Sequence, residues 1–238
     1  MKRTAVCLSV LVTFATIAGS HSVAFAAEKP NIVYVLVDNW GWGDISVQGS
    51  TIQTSRIDTF AAEGIRFTNF NVQNQCTPTR AALMTGRLPI RSGTQKVAAP
   101  GEPDGLSPWE YTIAELLSDS GYATALYGKW HIGSKPGRLP NDQGFDVFWG
   151  INEGSNAASY TSTAQFDPAV AEVPHFWQGV KGKPAVPTEL YDIKAKALFD
   201  SRITAKTTNF IKANAKMGTP FFAYVGFTHF HPPWGGAS

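Results

Sequence analysis

The sequence predicts an α/β fold, a largely parallel sheet flanked by helices, and three observations carry that expectation. Apolar, β-branched runs stand at "NIVYVLV" (31–37), "YATALY" (122–127) and "PFFAYVGFT" (220–228), and the first is continuous enough to read as a strand buried on both faces. Segments of helical period lie between these runs, the alternation that builds a parallel sheet. Short polar clusters, Asp38 with Asn39, Lys129 with His131, and His229 with His231, each follow the carboxyl end of a predicted strand, which is where open α/β sheets place their sites.

Taken in order, the first strand ends abruptly in "DNWGWGD". "TSRIDTFAAEG" then predicts a short helix, with Thr54 as N-cap, Ile57, Phe60 and Ala61 on its apolar side and Gly64 as its stop. "IRFTNFNV" alternates well enough to predict a strand. In "PTRAALMTG" a helix begins near Pro78, where a missing N–H costs nothing, and leaves through Gly86; Cys76 therefore sits at its N-terminal end. "TIAELLSDSG" predicts a third helix leading into "YATALY" and "GKWHIG". The segment "YDIKAKALFDSRITAKTTNFIKANAK" predicts one longer helix, with Phe199, Ile203 and Phe210 near helical spacing, before the last strand and the turn "HFHPPW". Residues 152–189 are rich in Gly, Ser and Pro and weakly periodic, so they predict a long excursion over the rim, either a binding loop or lid or a solvated insertion.

Composition narrows the function classes. With 43% hydrophobic and 16% charged residues the chain has the makings of an ordinary globular core, and its net charge of +2 is spread without a basic run or an aromatic-interleaved stripe. A nucleic-acid groove has no support in that pattern. The start, "MKR", then "AVCLSVLVTFATIAG", then "AFA" at Ala24 to Ala26, predicts a secretory signal peptide over residues 1–26 and an exported, periplasmic or secreted, mature chain. A stable membrane anchor is disfavoured because the apolar stretch falls short of the ~20 residues that span a bilayer. Cys7 lies too early in it for a lipoprotein. Cleavage would leave Cys76 as the one cysteine, a liability in an oxidising compartment unless it is buried or has a chemical purpose.

The chemistry-bearing stretches each admit a bland reading. Asp38 and Asn39, followed by glycines, offer oxygen donors to a hard divalent cation, or make an ordinary turn. Cys76 at a helix N-terminus with Arg80 one turn on suits an anion or a reactive thiol, or is a half-buried cysteine beside a surface arginine. Lys129 and His131, two residues apart, are able to point to one side of an extended segment, fit to bind an anion and pass a proton, though the spacing alone is common. His229 and His231 are two further imidazoles, or a solvated turn held by prolines. Zinc signatures, a Gly-x-Ser-x-Gly elbow and a phosphate-cradling Gly-x-x-x-x-Gly-Lys loop are absent.

Together, "KPNIVYVLVDNWGWGD", "FAAEGIRFTNF", "CTPTRAALMTGR", "YATALYGKWHIG", "NDQGFDVFWG" and "PFFAYVGFTHFHPP" resemble, in order and over Lys29 to Trp234, the N-terminal part of a formylglycine-dependent sulfatase. The resemblance implies that Cys76, with Pro78 and Arg80 in the pattern Cys-x-Pro-x-Arg, is oxidised by a formylglycine-generating enzyme; Thr79 stands where serine is usual. It further implies a hydrated aldehyde at position 76, one hydroxyl attacking sulfur and the other driving loss of sulfate. Asp38 and Asn39 match a metal-ligand pair that is more often two aspartates, and with the modified Cys76 they would hold a divalent metal, calcium first and magnesium as the alternative. Arg80 would stabilise the modified residue, Lys129 hold the sulfate, and His131 orient the hydrate and move its protons. His231, which fits better than His229, would contact the sulfate or protonate the leaving group.

The implied substrate is a sulfated small molecule or sulfated sugar. The alternatives are a phosphoryl or phosphonate ester hydrolase of the same superfamily, or a non-catalytic relative. Family members continue past "WGGAS" with a second metal-ligand pair, a further lysine and a C-terminal domain, so residues 27–238 are expected to be the N-terminal portion of the catalytic domain, binding metal poorly and turning over little by themselves.

Overall fold

The structure, a computed structural model, describes residues 29–98, 104–169 and 172–234; the predicted signal peptide lies outside them. One six-stranded sheet runs in the order β1 (Ile32–Leu36), β6 (Phe221–Gly226), β2 (Ala123–Lys129), β3 (Val147–Ile151), β4 (His175–Val180), β5 (Val186–Leu190). The first four pair in parallel, and β4 and β5 extend the sheet antiparallel. The mostly parallel α/β expectation is therefore met. No helix among the described residues is long and apolar enough to cross a membrane.

Two apolar layers hold the helices to the sheet. On one face Leu126, Phe148, Phe222 and Tyr224 pack with Ala81 and Met84 of α2 (Cys76–Thr85) and Ala114 of α4 (Ile113–Asp119). On the other, Trp149, Ile151 and Val225 pack with Phe199 and Ile203 of α6 (Phe199–Met217). The smaller helices are α1 (Ser55–Glu63), α3 (Pro89–Ser92) and α5 (Ile193–Ala197). Local chemistry fixes the ends: Thr112 and Glu115 form a reciprocal capping box on α4, and Gly86, at φ 66°, closes α2 as expected.

In five places the structure departs from the expectation. Strand β1 is not buried on both faces: it lies at the sheet edge, and Val33 and Val35 are 46% and 52% exposed. Residues 65–70 form no strand, since the alternation finds no partner strand, and Ile65, Phe67 and Phe70 are exposed. Phe60 of α1 is exposed too, because that helix is held by polar contacts, the Asp58 carboxylate accepting from the Ser46 hydroxyl and the Val47 N–H. Residues 152–189 are not one excursion: they contain a 3-10 turn (Ser155–Ser162) and the β4–β5 hairpin. The long helix is broken at Leu198 into α5 and α6, which seats Phe199 in the core while the Asp200 carboxylate reaches Thr228.

Where the strands end, the backbones come unusually close. Gly226, Gly128 and Gly150 stand side by side on β6, β2 and β3. Gly128 has φ 117°, and a Cβ there would lie 2.1 Å from the Gly226 carbonyl oxygen, while one at Gly150 would lie 1.8 Å from that of Gly128. The row admits no side chain, and Lys129 follows it directly on β2.

Candidate functional site

Just beyond that glycine row, three chain segments converge. Lys129, the last residue of β2, is fully buried and donates from Nζ to Asp38 Oδ2 at 2.6 Å. Asp38 follows β1, is 5% exposed, and accepts from Ser155 Oγ at 3.1 Å on the same oxygen. Its other oxygen lies 3.5 Å from Arg80 Nη2. Arg80, 2% exposed, also donates from Nη1 to the Lys129 carbonyl (2.8 Å) and to the Tyr224 hydroxyl (3.2 Å). A carboxylate is thus clamped by two buried cations. Burial pushes the Asp38 carboxyl up, but Lys129 and Arg80 outweigh it and hold it below its ordinary value. Burial, then Arg80, pull the Lys129 ammonium down, with Asp38 opposing them.

Cys76 opens α2, half-buried, with no side-chain cap on the helix start. It faces a cavity of about 330 Å³ whose wall includes Asp38, Asn39, Gln75 and Arg80. Thr77, the next residue, donates from Oγ1 to the His131 carbonyl (2.9 Å), which ties the helix start to the segment after β2. Asn39 and His131 are the two non-glycine residues, among those described, with left-handed backbone, φ 64° and 60°. Such conformations collect at functional sites when surrounding contacts enforce them.

His131 is half-buried, and its Nδ1 is shielded from solvent with no hydrogen-bond partner among the described residues. Burial, then the Lys129 and Arg80 cations, depress its pKa well below 6.5, Asp38 opposing and His231 adding to the fall. The ring is therefore neutral and able to take up a proton. Because the unfolded chain protonates this ring near 6.5 and the folded one only at much lower pH, the unfolded state binds more protons in that window. Stability is accordingly full above pH 6.5 and is lost as pH falls toward the folded value, by up to about 1.4 kcal/mol per pH unit. His131→Gln is expected to flatten that slope in urea melts between pH 7.5 and 5; the residual slope belongs to His231, whose pKa burial also lowers.

The loop after β6 is pinned by backbone bonds, Phe227 N to the Leu36 carbonyl (3.0 Å) and Phe230 N to the Asp38 carbonyl (2.7 Å). His231 comes within electrostatic reach of Asp38, Lys129 and His131. His229 turns away, its Nδ1 2.8 Å from Asp200 Oδ2. Of the two imidazoles, His231 is the one brought to the site.

Sequence reasoning missed Ser155, Tyr224, Asp200 and Lys196. Ser155 sits in the stretch read as a loop, Tyr224 is one aromatic in an apolar strand, and nothing in the spacing marks Asp200. Lys196 of α5 is 2% exposed and its Nζ has no hydrogen-bond partner among the described residues. Burial pulls its pKa down, with Asp200 and Asp38 opposing. An uncompensated buried ammonium costs about 1–3 kcal/mol or more, so Lys196→Met is expected to raise the melting temperature by about 2–4 °C per kcal/mol recovered. A lower melting temperature in calorimetry would show that the ammonium is satisfied by bound water.

The donors do not make a metal site by themselves. Asp38 and Asn39 supply oxygens of the kind calcium or magnesium takes, but both Asp38 oxygens are engaged by cations, and no group of three or more His, Cys, Asp or Glu able to hold a metal exists among the described residues. Calcium takes 6–8 oxygen ligands. A calcium titration of this chain is expected to show nothing tighter than about millimolar, the weak end of protein calcium sites.

Comparison with known proteins points to one family. The sulfatase family model matches residues 30–237. Human arylsulfatase G is 32% identical over 223 residues, covering 87% of this chain and 42% of that protein. A sulfatase from Pseudoalteromonas sp., PsFucS1, superposes with a TM-score of 0.77 at 33% identity, covering 88% of this chain and 46% of that one. A protein solved in complex with its substrate, D-glucosamine-2-N,6-O-disulfate, does so with a TM-score of 0.61 at 28% identity, covering 87% and 35%. The chain thus spans less than half the length of these relatives.

Proposed function

The chain belongs to the sulfatase family, and from that premise we propose that it carries the sulfate-binding and nucleophile-bearing half of a sulfuric ester hydrolase. The observation that supports this most is the buried Asp38–Lys129–Arg80 cluster beside the cavity that Cys76 faces. Two cations held in a desolvated wall are suited to a tetrahedral anion, and they are placed before it arrives.

Cys76 is the precursor of formylglycine in this reading, and a position at the helix start, half-exposed and within electrostatic reach of Arg80 and Lys129, suits that role. As the aldehyde hydrate it supplies the hydroxyls that attack sulfur and later release sulfate. The chain's other residues do the rest. Lys129 turns its ammonium from Asp38 toward a sulfate oxygen, Arg80 holds the position-76 side chain, neutral His131 takes up a proton from a position-76 hydroxyl at its ring nitrogen, and His231, in its protonated form, hands one to the departing alcohol oxygen and regains it from solvent. A divalent metal at Asp38 and Asn39 needs oxygen donors beyond those described, so no step here runs through it. The partners in this reading are a sulfated small molecule or sugar and a formylglycine-generating enzyme acting on an exported chain.

The test is the mass of the tryptic peptide carrying Cys76 from protein made in its native host. A formylglycine peptide, together with turnover of an aryl sulfate well above that of the matched aryl phosphate and its loss in Cys76→Ala, supports the proposal. An unmodified thiol in every preparation sinks the formylglycine reading, and faster aryl phosphate turnover moves the chain to phosphoryl ester hydrolysis.

A further inference from the structure

One carboxylate braces the turn that carries His231. Asp200 stands in the first turn of α6, where an acidic side chain ordinarily offsets the positive end of its own helix. Here both of its oxygens reach across to the segment after β6. Oδ1 accepts from the Thr228 N–H and hydroxyl, each at 2.9 Å, and Oδ2 accepts from the His229 N–H at 3.1 Å and from its ring Nδ1–H at 2.8 Å. Each oxygen thus holds one residue by its main chain and its side chain together. An amide cannot replace this carboxylate: it has one acceptor oxygen, and its NH2 would be set against two N–H donors.

The brace is fixed at one end and reaches the site at the other. Phe199, the residue before Asp200, is fully buried, with its ring centroid 4.7 Å from that of Phe176 and 5.4 Å from that of Trp149. Thr228 is fully buried as well, and its carbonyl accepts from the His231 N–H at 3.0 Å. Between them, Phe230 N donates to the Asp38 carbonyl at 2.7 Å. His231 Nδ1 lies 2.7 Å from the Pro232 carbonyl. A carbonyl only accepts, so Nδ1 carries a proton and Nε2 is the ring nitrogen left for a ligand. General acid catalysis needs that nitrogen within ~3 Å of the oxygen it serves, and a misplacement of about 1 Å costs roughly a hundredfold in rate.

We propose that Asp200 is a positioning residue of the candidate site: through both carboxylate oxygens it braces the turn from Thr228 to His231, with the His229 ring as one of its props, and so fixes where His231 Nε2 stands. In the step served, the Nε2–H bond of protonated His231 breaks and a bond from that proton to the departing alcohol oxygen forms, so an Nε2 held out of place leaves the oxygen to depart as an anion. The role in proton transfer rests on the sulfatase reading, whereas the brace itself does not. A purely structural tie between α6 and the sheet would cost stability when cut, but would leave the His231 ring as it is.

The test compares the full chain with Asp200→Asn and His229→Ala by long-range proton–nitrogen NMR of the imidazoles, with His231 assigned from the signals that His231→Gln removes. Spectra are taken at about pH 8, where the ring is neutral because burial holds its pKa below 6.5. His231 in the unaltered chain is expected to show one protonated and one bare ring nitrogen, a fixed tautomer. In Asp200→Asn the two nitrogen signals converge as the ring loses its place, and in His229→Ala, which removes one of the four bonds, they converge less. Asp200→Asn is also expected to lower kcat about tenfold or more further for phenyl sulfate than for 4-nitrophenyl sulfate, with KM little changed, because a nitrophenolate departs without needing the proton. Unchanged His231 signals beside a lowered urea midpoint, or equal kcat losses on the two sulfates, overturn the proposal. If Asp200→Asn does not fold, the His231 signals of His229→Ala decide it. A chain that turns over neither sulfate counts against the sulfatase reading, and the spectra then decide the brace.

Discussion

Replacing Gly128 with alanine is expected to leave no stably folded protein. At φ 117° an L side chain is strained by about 1–3 kcal/mol before any contact is counted, and the new Cβ would stand 2.1 Å from the Gly226 carbonyl oxygen. That oxygen belongs to the backbone of a central strand, so it cannot swing aside as a side-chain tip would. The loss should exceed about 4 kcal/mol, the range reserved for backbone clashes and core cavities. Gly43→Ala is the matching control: nothing lies within 4 Å of a Cβ there, and its effect should stay within about 0.5 kcal/mol. Soluble yield and urea midpoints of the two variants side by side are the measurement. A folded Gly128→Ala protein of near wild-type midpoint would show that β2 and β6 can separate without cost.

Lys129→Met is expected to cost about 3–5 kcal/mol, because it leaves the Asp38 carboxylate buried with one remaining cation, Arg80 at 3.5 Å. Breaking a buried pair is worse than never having had it. The double replacement Asp38→Asn, Lys129→Met should therefore recover most of the loss, and a double-mutant cycle in urea isolates the coupling. The pair also fixes the acid behaviour of the site. Asp38 titrates lower in the folded protein than its unfolded value of 3.8, so its stabilisation is whole above that pH and disappears as pH falls through the folded value. Additive single and double replacements would mean that water already screens Asp38.

Much of the fold was legible because burial on a parallel sheet leaves a strong mark. The runs at β2 and β6 are apolar nearly throughout, and β1 was located by the same signal, although its outer face is half-exposed. Strand β5, "VPTEL", is exposed along its whole length and contains Pro187, so neither period nor composition could announce it. The break at Leu198 was hidden for the opposite reason: leucine is a good helix former, and the kink is set by where Phe199 and Asp200 find partners. Residues 65–70 alternate like a strand, but a strand is a pairing and not a pattern. In the candidate site, Asp38, Arg80, Lys129 and His131 were visible because strand ends and a helix start put unusual residues together. Ser155, Tyr224 and Lys196 were not, since serine, tyrosine and lysine are ordinary anywhere and only the fold gathers them.

The position of β1 carries a consequence in time. Among the described residues it is the earliest strand, and it pairs with β6, the latest of them; the bond from Phe221 N to Asn31 Oδ1 spans 190 residues. At synthesis rates of about 5–20 residues per second, β1 waits roughly 10–40 s for its partner. Collapse and hairpin formation take microseconds, so the β4–β5 hairpin and the helices form long before the sheet can close on its first strand. Throughout that interval "IVYVL" is an unpaired apolar segment, and whatever keeps it from pairing elsewhere is as much a condition of folding as the packing of the finished core.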